Sequence, residues 1–139
     1  MVVSSSIAAL PPNYRTVLEV VEEAGPGGHL TAQQIWLRAR ARAPRIGFAT
    51  VHRALGRLHE LSAVMKIDVP GEASAVYEPA AEPHAHFRCT GCGAITDVDY
   101  VVPPRTRREV AQRHGVAIEH DVVVFTGRCA RCADDPPQR

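Results

Sequence analysis

Four cysteines stand in two pairs of identical spacing, Cys89-Thr-Gly-Cys92 and Cys129-Ala-Arg-Cys132. A CxxC pair lets two thiolates reach one tetrahedral ion, and glycines at 91 and 93 permit the tight turn of a metal knuckle. Four sulfurs close the coordination sphere, so the expected chemistry is a structural zinc site with no open position for catalysis. A redox dithiol or free core thiols are the alternatives. The interval between Cys92 and Cys129 is longer than in a simple zinc ribbon, so the pairs are expected to staple a whole lobe. The N-terminal stretch Met-Val-Val-Ser-Ser-Ser lacks a basic region and a true apolar region, and is expected to be a frayed start rather than a signal peptide. A cytoplasmic location is therefore expected, where cysteine pairs at metal spacing bind metal rather than form disulfides.

A second set of possible ligands contains no sulfur. On a strand, His84 and His86 point to one side and can meet one ion. Alone this signal is weak, since alternating histidines on an exposed strand are often only solvated. Glu78 before them, Asp97 beyond Cys92, and His29 in the loop ahead of the second helix strengthen it. Nitrogen and oxygen donors suit Fe(II), Mn(II) or Zn(II). Phe87 and Arg88 follow His86 where a metallohydrolase of HxHxD order would need another ligand. No cysteine is left as a nucleophile and no Gly-rich phosphate loop is present, so no enzymatic activity is expected.

The elements that must position these residues fall into two groups. Tyr14, Val17, Leu18 and Val21 recur at one face of a helix that ends at Gly25-Pro26-Gly27-Gly28. Thr31 followed by Gln34 is a capping box, opening a helix through Ile35, Trp36 and Ala39 that stops before Pro44. A third helix runs from about Thr50 to Leu61, with Val51, Ala54, Leu55 and Leu58 inward and His52, Arg53 and Arg57 outward. Alternation from Val64 to Val69, a turn at Pro70-Gly71, and a return from Ala75 to Glu78 make a hairpin. Three helices and a hairpin are the order of a winged helix-turn-helix, whose third helix is placed to enter a major groove. Beyond Pro83, strands are expected at 85–88, 94–101 and 122–125, with a helix at 104–114 and a polar tail from Asp134 to Arg139. The fold class is thus α+β: a winged-helix domain at 1–79, a hinge at 80–83, and a small α/β lobe at 84–139.

The 139 residues carry a net charge of only +1, which by itself names no partner. Between Glu23 and Glu60, however, there is no acidic residue, while Arg38, Arg40, Arg42, Arg45, Arg53 and Arg57 all fall there. Such a block is an electrostatic footprint for an anionic partner, or else a solvated basic face in an arginine-rich composition. Arg53 and Arg57 are the groove candidates. Arg15, Arg42, Arg45 and Lys66 are candidates for phosphate contacts. No run approaches the ~18 apolar residues of a membrane helix, so no membrane partner is expected.

Taken together, Ala49-Thr-Val-His-Arg53, Val76-Tyr-Glu78, His84-Ala-His-Phe-Arg-Cys-Thr-Gly-Cys-Gly93 and Gly127-Arg-Cys-Ala-Arg-Cys132 resemble the ferric uptake regulator superfamily. The resemblance runs from about Asn13 to Ala133. It implies a homodimeric, metal-dependent regulator, usually a repressor, whose first lobe binds a double-stranded DNA operator through residues such as Thr50, His52 and Arg53. The second lobe would dimerise around the four-cysteine zinc. The family's regulatory metal site falls on His29, Glu78, His84, His86 and Asp97, with Fe(II) or Mn(II) as corepressor. Asp97 resembles the peroxide-sensing and the iron- or manganese-responsive branches. The zinc-sensing branch typically uses a further cysteine, and all four here are committed. A zinc-uptake regulator, with regulatory Zn(II), is the alternative within the family; a zinc-stabilised interaction module is the alternative outside it. Two departures stand out. His52 occupies a position where the family commonly has tyrosine. Pro83 and Ala85 flank the histidines where another family site needs ligands, leaving Glu109 and His120 as partial remnants.

Overall fold

The computed structural model describes residues 2–25 and 27–133. Pro26 and the expected polar tail from Asp134 to Arg139 lie outside them. The chain divides into two compact units, Met1–Ala81 and Glu82–Arg139.

In the first unit, helix α1 (Val2–Ala8) precedes α2 (Pro12–Glu23), β1 (Leu30–Thr31), α3 (Ala32–Ala39), α4 (Phe48–Glu60), β2 (Val64–Ile67) and β3 (Val76–Pro79). Proline at the first position of α2 fixes a helical φ where no backbone donor is needed. Thr31 and Gln34 form the full reciprocal capping box that starts α3. Gly47 precedes α4, and Ser62 ends that helix region with a left-handed φ of 58°. Val17 and Val21 of α2, Ile35 of α3, and Val51, Ala54, Leu55 and Leu58 of α4 meet in a closed core. The inward face expected of the third helix is the buried face of α4. A three-stranded antiparallel sheet of order β1-β3-β2 completes the unit, with Leu30 opposite Tyr77 and Ile67 opposite Val76.

Two differences from the sequence expectations have clear causes. The start of the chain is not frayed: α1 forms, and Ile7 and Leu10 pack against the core. The first strand of the hairpin stops at Ile67 rather than Val69, because Val69 accepts a turn bond from the amide of Glu72.

In the second unit, β4 (Ala85–Cys89), β5 (Ile95–Val98), α5 (Pro104–His114), β6 (Val124–Gly127) and α6 (Ala130–Ala133) follow in order. The sheet order is β5-β4-β6, antiparallel between β4 and β5 and parallel between β4 and β6. The last strand is displaced two residues from the expected 122–125, since pairing of Cys89 with Gly127 sets its register. Glycine at 127 also fits the close approach of the Phe87 ring, which a Cβ would meet at 3.3 Å. Helix α5 has no buried residue. Ala85, His86 and Cys89 are the buried residues of this unit among those described.

Candidate metal centres and nucleic-acid face

The four cysteines converge in the second unit, with their Sγ atoms all within 4.8 Å of one another and none in a disulfide. The parallel pairing of β4 with β6 brings them together. Cys89 ends β4 beside Gly127, and Thr90 bonds the Gly127 carbonyl through both its amide (2.7 Å) and its hydroxyl (3.0 Å). The second knuckle follows two residues later. A Cβ on Gly91 would sit 2.9 Å from the Cβ and Sγ of Cys132, so glycine there makes room for the facing knuckle. Gly93, at φ 75°, supplies the left-handed turn.

This arrangement fits zinc. Zn–S bonds of about 2.3 Å in a tetrahedron give sulfur–sulfur edges of about 3.8 Å, and Cys92 Sγ lies 3.9 Å from Cys129 Sγ. The backbone amides of Cys129 (3.3 Å) and Cys92 (3.4 Å) donate to Cys89 Sγ, bringing that thiol down to about 5. Conversely, contact with Cys129 and then Cys89 pushes Cys132 up to about 12. Backbone hydrogen bonds favour the thiolate at Cys89 and, through the Cys132 amide, at Cys129, while the proximity of the other sulfurs holds the proton on Cys132. A divalent ion reconciles the two, because a coordinated thiol is deprotonated outright. Arg128, just ahead of the second pair, donates Nε–H to the Cys132 carbonyl at 2.7 Å and ties α6 back onto the knuckle. Its position beside a CxxC was the available sequence signal for this role.

The nitrogen and oxygen ligands form one group in each unit. In the first, His29 Nε2 lies 3.0 Å from Glu78 Oε2, and both side chains are almost fully buried. The β1–β3 pairing explains this: Leu30 faces Tyr77, so one step further along the register puts His29 beside Glu78. In the second, His86 and Asp97 are direct partners across β4 and β5. Asp97 Oδ1 lies 3.3 Å from His84 Nε2 and 3.6 Å from His86 Nε2, and the two imidazoles are 4.7 Å apart between ring centres.

The tautomer of His84 adds a constraint. Its Nδ1–H donates to the carbonyl of Glu82 at 2.8 Å, so in the neutral ring Nε2 carries the lone pair that faces Asp97. Two acceptors at that distance need a proton or a cation between them. Metal–ligand bonds of about 2.0–2.2 Å subtending about 90–120° give donor–donor edges of about 2.8–3.8 Å. The 3.0, 3.3 and 3.6 Å separations fall in that range. Each group therefore fits part of the shell of a divalent ion.

Glu109 and His120 stand differently. Glu109 is paired with Arg105 at 3.0 Å, and the nearby Asp121 with Arg107 at 2.9 Å. Among the described residues, neither Glu109 nor His120 joins a group of three or more ligand-type side chains.

On α4, His52, Arg53 and Arg57 are exposed and Thr50 is half-buried. Arg53 donates to the Thr50 hydroxyl at 3.2 Å, and Arg57 pairs with Glu60 at 3.1 Å. Arg15 on α2, Arg45 before α4 and Lys66 on β2 are exposed. Arg42 is committed elsewhere: it bridges Glu19 (3.1 Å) and Glu23 of α2. This pairing raises the Arg42 pKa and lowers that of Glu23.

Comparison with known proteins agrees with this layout. The family model of the ferric uptake regulator family matches residues 11–126. The chain belongs to the ferric uptake regulator family. The ferric uptake regulation protein of Bacillus subtilis (strain 168) is 32% identical over 133 residues, spanning 93% of this chain and 87% of that protein. The crystal structure of the Campylobacter jejuni peroxide stress regulator superposes with a TM-score of 0.68 at 25% identity, covering 87% of this chain and 89% of the other. The Helicobacter pylori ferric uptake regulator shares the fold at a TM-score of 0.69 and 21% identity, over 92% of this chain and 84% of that one. The ferric uptake regulator family consists of metal-responsive transcriptional regulators that bind DNA, and this chain is one of them. Among the described residues, no helix is long and apolar enough to cross a membrane.

Proposed function

We propose that this protein is a homodimeric repressor that binds operator DNA when a second metal ion, Fe(II) or Mn(II), joins a structural zinc held by Cys89, Cys92, Cys129 and Cys132. The observation that carries this reading is the division of the sulfur-free ligands. His29 and Glu78 belong to the unit that carries α4; His84, His86 and Asp97 belong to the other. One ion taken by both groups couples the two units, and a ligand shifts a conformational equilibrium only through its preference for one state. Glu78 and His86 are each 2% exposed, so charge and imidazole are already desolvated in favour of a cation. The absence of sulfur favours iron or manganese over a dedicated zinc sensor.

In this reading α4 enters the major groove, with Arg53 and Arg57 toward the bases and Arg15 and Lys66 toward phosphates. The second unit dimerises through the apolar side chains it exposes. Tyr100, Val101, Val110, Val116, Val122 and Phe125 are each more than 40% exposed, and the rings of Tyr100 and Phe125 meet at 5.9 Å; a partner subunit would cover such side chains. Operator affinity measured with Fe(II), Mn(II) and Zn(II) at separately buffered free concentrations tests the proposal. Tightening by Fe(II) or Mn(II) is expected; equal affinity after removal of the labile metal would contradict it, and a response to Zn(II) alone would assign the protein to zinc uptake.

A further inference from the structure

The acid-free arginine block does not account for the aromatic residues at the start of α4. Phe48, the first residue of that helix, is 41% exposed and lies outside the hydrophobic core, which Trp36 joins only at its edge. Yet Phe48 is pinned on two sides. The Trp36 ring meets it edge-to-face at 5.8 Å, and the His52 ring, one helical turn along, meets it edge-to-face at 4.5 Å. Trp36 is itself fixed, donating Nε1–H to the Ile46 carbonyl at 3.0 Å with the Arg40 guanidinium 5.0 Å above its ring. A surface aromatic held this way contributes little to the core. It loses little conformational freedom on meeting a partner, which is what preorganised recognition needs.

We infer that Phe48 and His52 form a two-residue reading element for adjacent base pairs: Phe48 contacts a thymine methyl, and His52 donates an N–H to the guanine of the neighbouring pair. This deepens, and rests on, the reading of α4 as the groove helix. The first turn of such a helix is where side chains reach base edges. Residues four apart share a face at about 5–6 Å, which suits neighbouring pairs stacked about 3.4 Å apart. Guanine offers two adjacent acceptors, so an imidazole N–H placed on N7 is also drawn to O6 beside it; adenine sets a donor beside its N7, and cytosine presents a donor. Neutral imidazole has one such donor and the imidazolium has two, so the contact survives either protonation state. No acidic residue occurs from 24 to 59 to oppose the approach of DNA.

The test uses the full-length, metal-loaded protein and a duplex DNA library with a randomised core. The unaltered protein is expected to enrich sites with a fixed thymine–guanine step in each half-site. Replacing that guanine by 7-deazaguanine, which removes N7 but keeps base pairing, should weaken binding about fivefold, the lower end for a specific base contact. His52→Ala should already show that loss and be indifferent to the deaza base. His52→Gln, which keeps a donor and adds an acceptor, should move the preference from guanine to adenine, while Phe48→Ala should relax the thymine position. His52 is exposed, so these variants keep the fold, and their melting curves check it. Equal sensitivity of the unaltered protein and His52→Ala to the deaza base, or an unchanged site preference in His52→Gln, would overturn the inference alone. Failure of the unaltered protein to enrich any site would overturn the DNA-binding reading and this inference with it.

Discussion

The two units solve the problem of stability in opposite ways. Before the linker, apolar side chains from α2, α3 and α4 enclose one another, and Leu55, Leu58, Ile35 and Val51 have no exposed surface. After it, Ala85 and Cys89 are the buried apolar residues among those described, while six large apolar side chains remain exposed and α5 buries none. A unit of this size with so little core needs another source of stability. The difference teaches that the four-cysteine metal site takes over in the second unit part of what side-chain packing does in the first. It also separates the ligands by chemistry: sulfur gathers in the second unit, while nitrogen and oxygen donors lie on both.

Removing the zinc site should break the comparison most strongly. Structural zinc contributes about 10–16 kcal/mol of apparent binding energy, comparable with or above the roughly 5–15 kcal/mol stability of a typical domain. Cys89→Ser should therefore unfold the second unit and dissociate the proposed dimer, seen as lost amide dispersion for residues 84–133 and a monomeric sedimentation profile. Signals from α2 to α4 should persist. Leu55→Ala is the converse experiment. It should cost the first unit about 2–5 kcal/mol through the cavity left in the core, read as an earlier melting transition, with zinc content unchanged. Smaller still is the surface pair of Arg42 with Glu23. Because its arginine partner lowers the Glu23 pKa from 4.5, its contribution is present above that value and is lost as pH falls through the lowered one. Glu23→Gln should flatten the acid limb of the first unit's melting profile by a small, salt-sensitive amount.

Local signals explain how much of this was legible in the sequence. The capping box at Thr31 and the spacing of Val51, Ala54, Leu55 and Leu58 are contained within single helices, so periodicity found them. The cysteine spacing likewise announced its own geometry. Non-local pairing was harder to read. Strand β1 is two residues long and carries no pattern of its own, yet its register places His29 beside Glu78. The run from Val122 to Phe125 is uniformly β-prone, so only pairing with β4 shifts the strand to Val124–Gly127. Helix α1 escaped because three serines and no capping signal hide a segment whose Ile7 packs on the core. The diversion of Arg42 to α2 could not be seen from a block of arginines alone.

The central claim is that one labile ion draws ligands from both units. Equilibrium titration of the zinc-loaded protein with Mn(II) tests it most directly, comparing the unaltered chain with Glu78→Gln, from the first unit, and Asp97→Asn, from the second. One labile ion per chain is predicted, with each substitution weakening it at least about tenfold, as a loss of about 1.4 kcal/mol or more from a ligand would give. A labile site that survives one of the two substitutions with unchanged affinity would place the ion on a single unit and contradict the account.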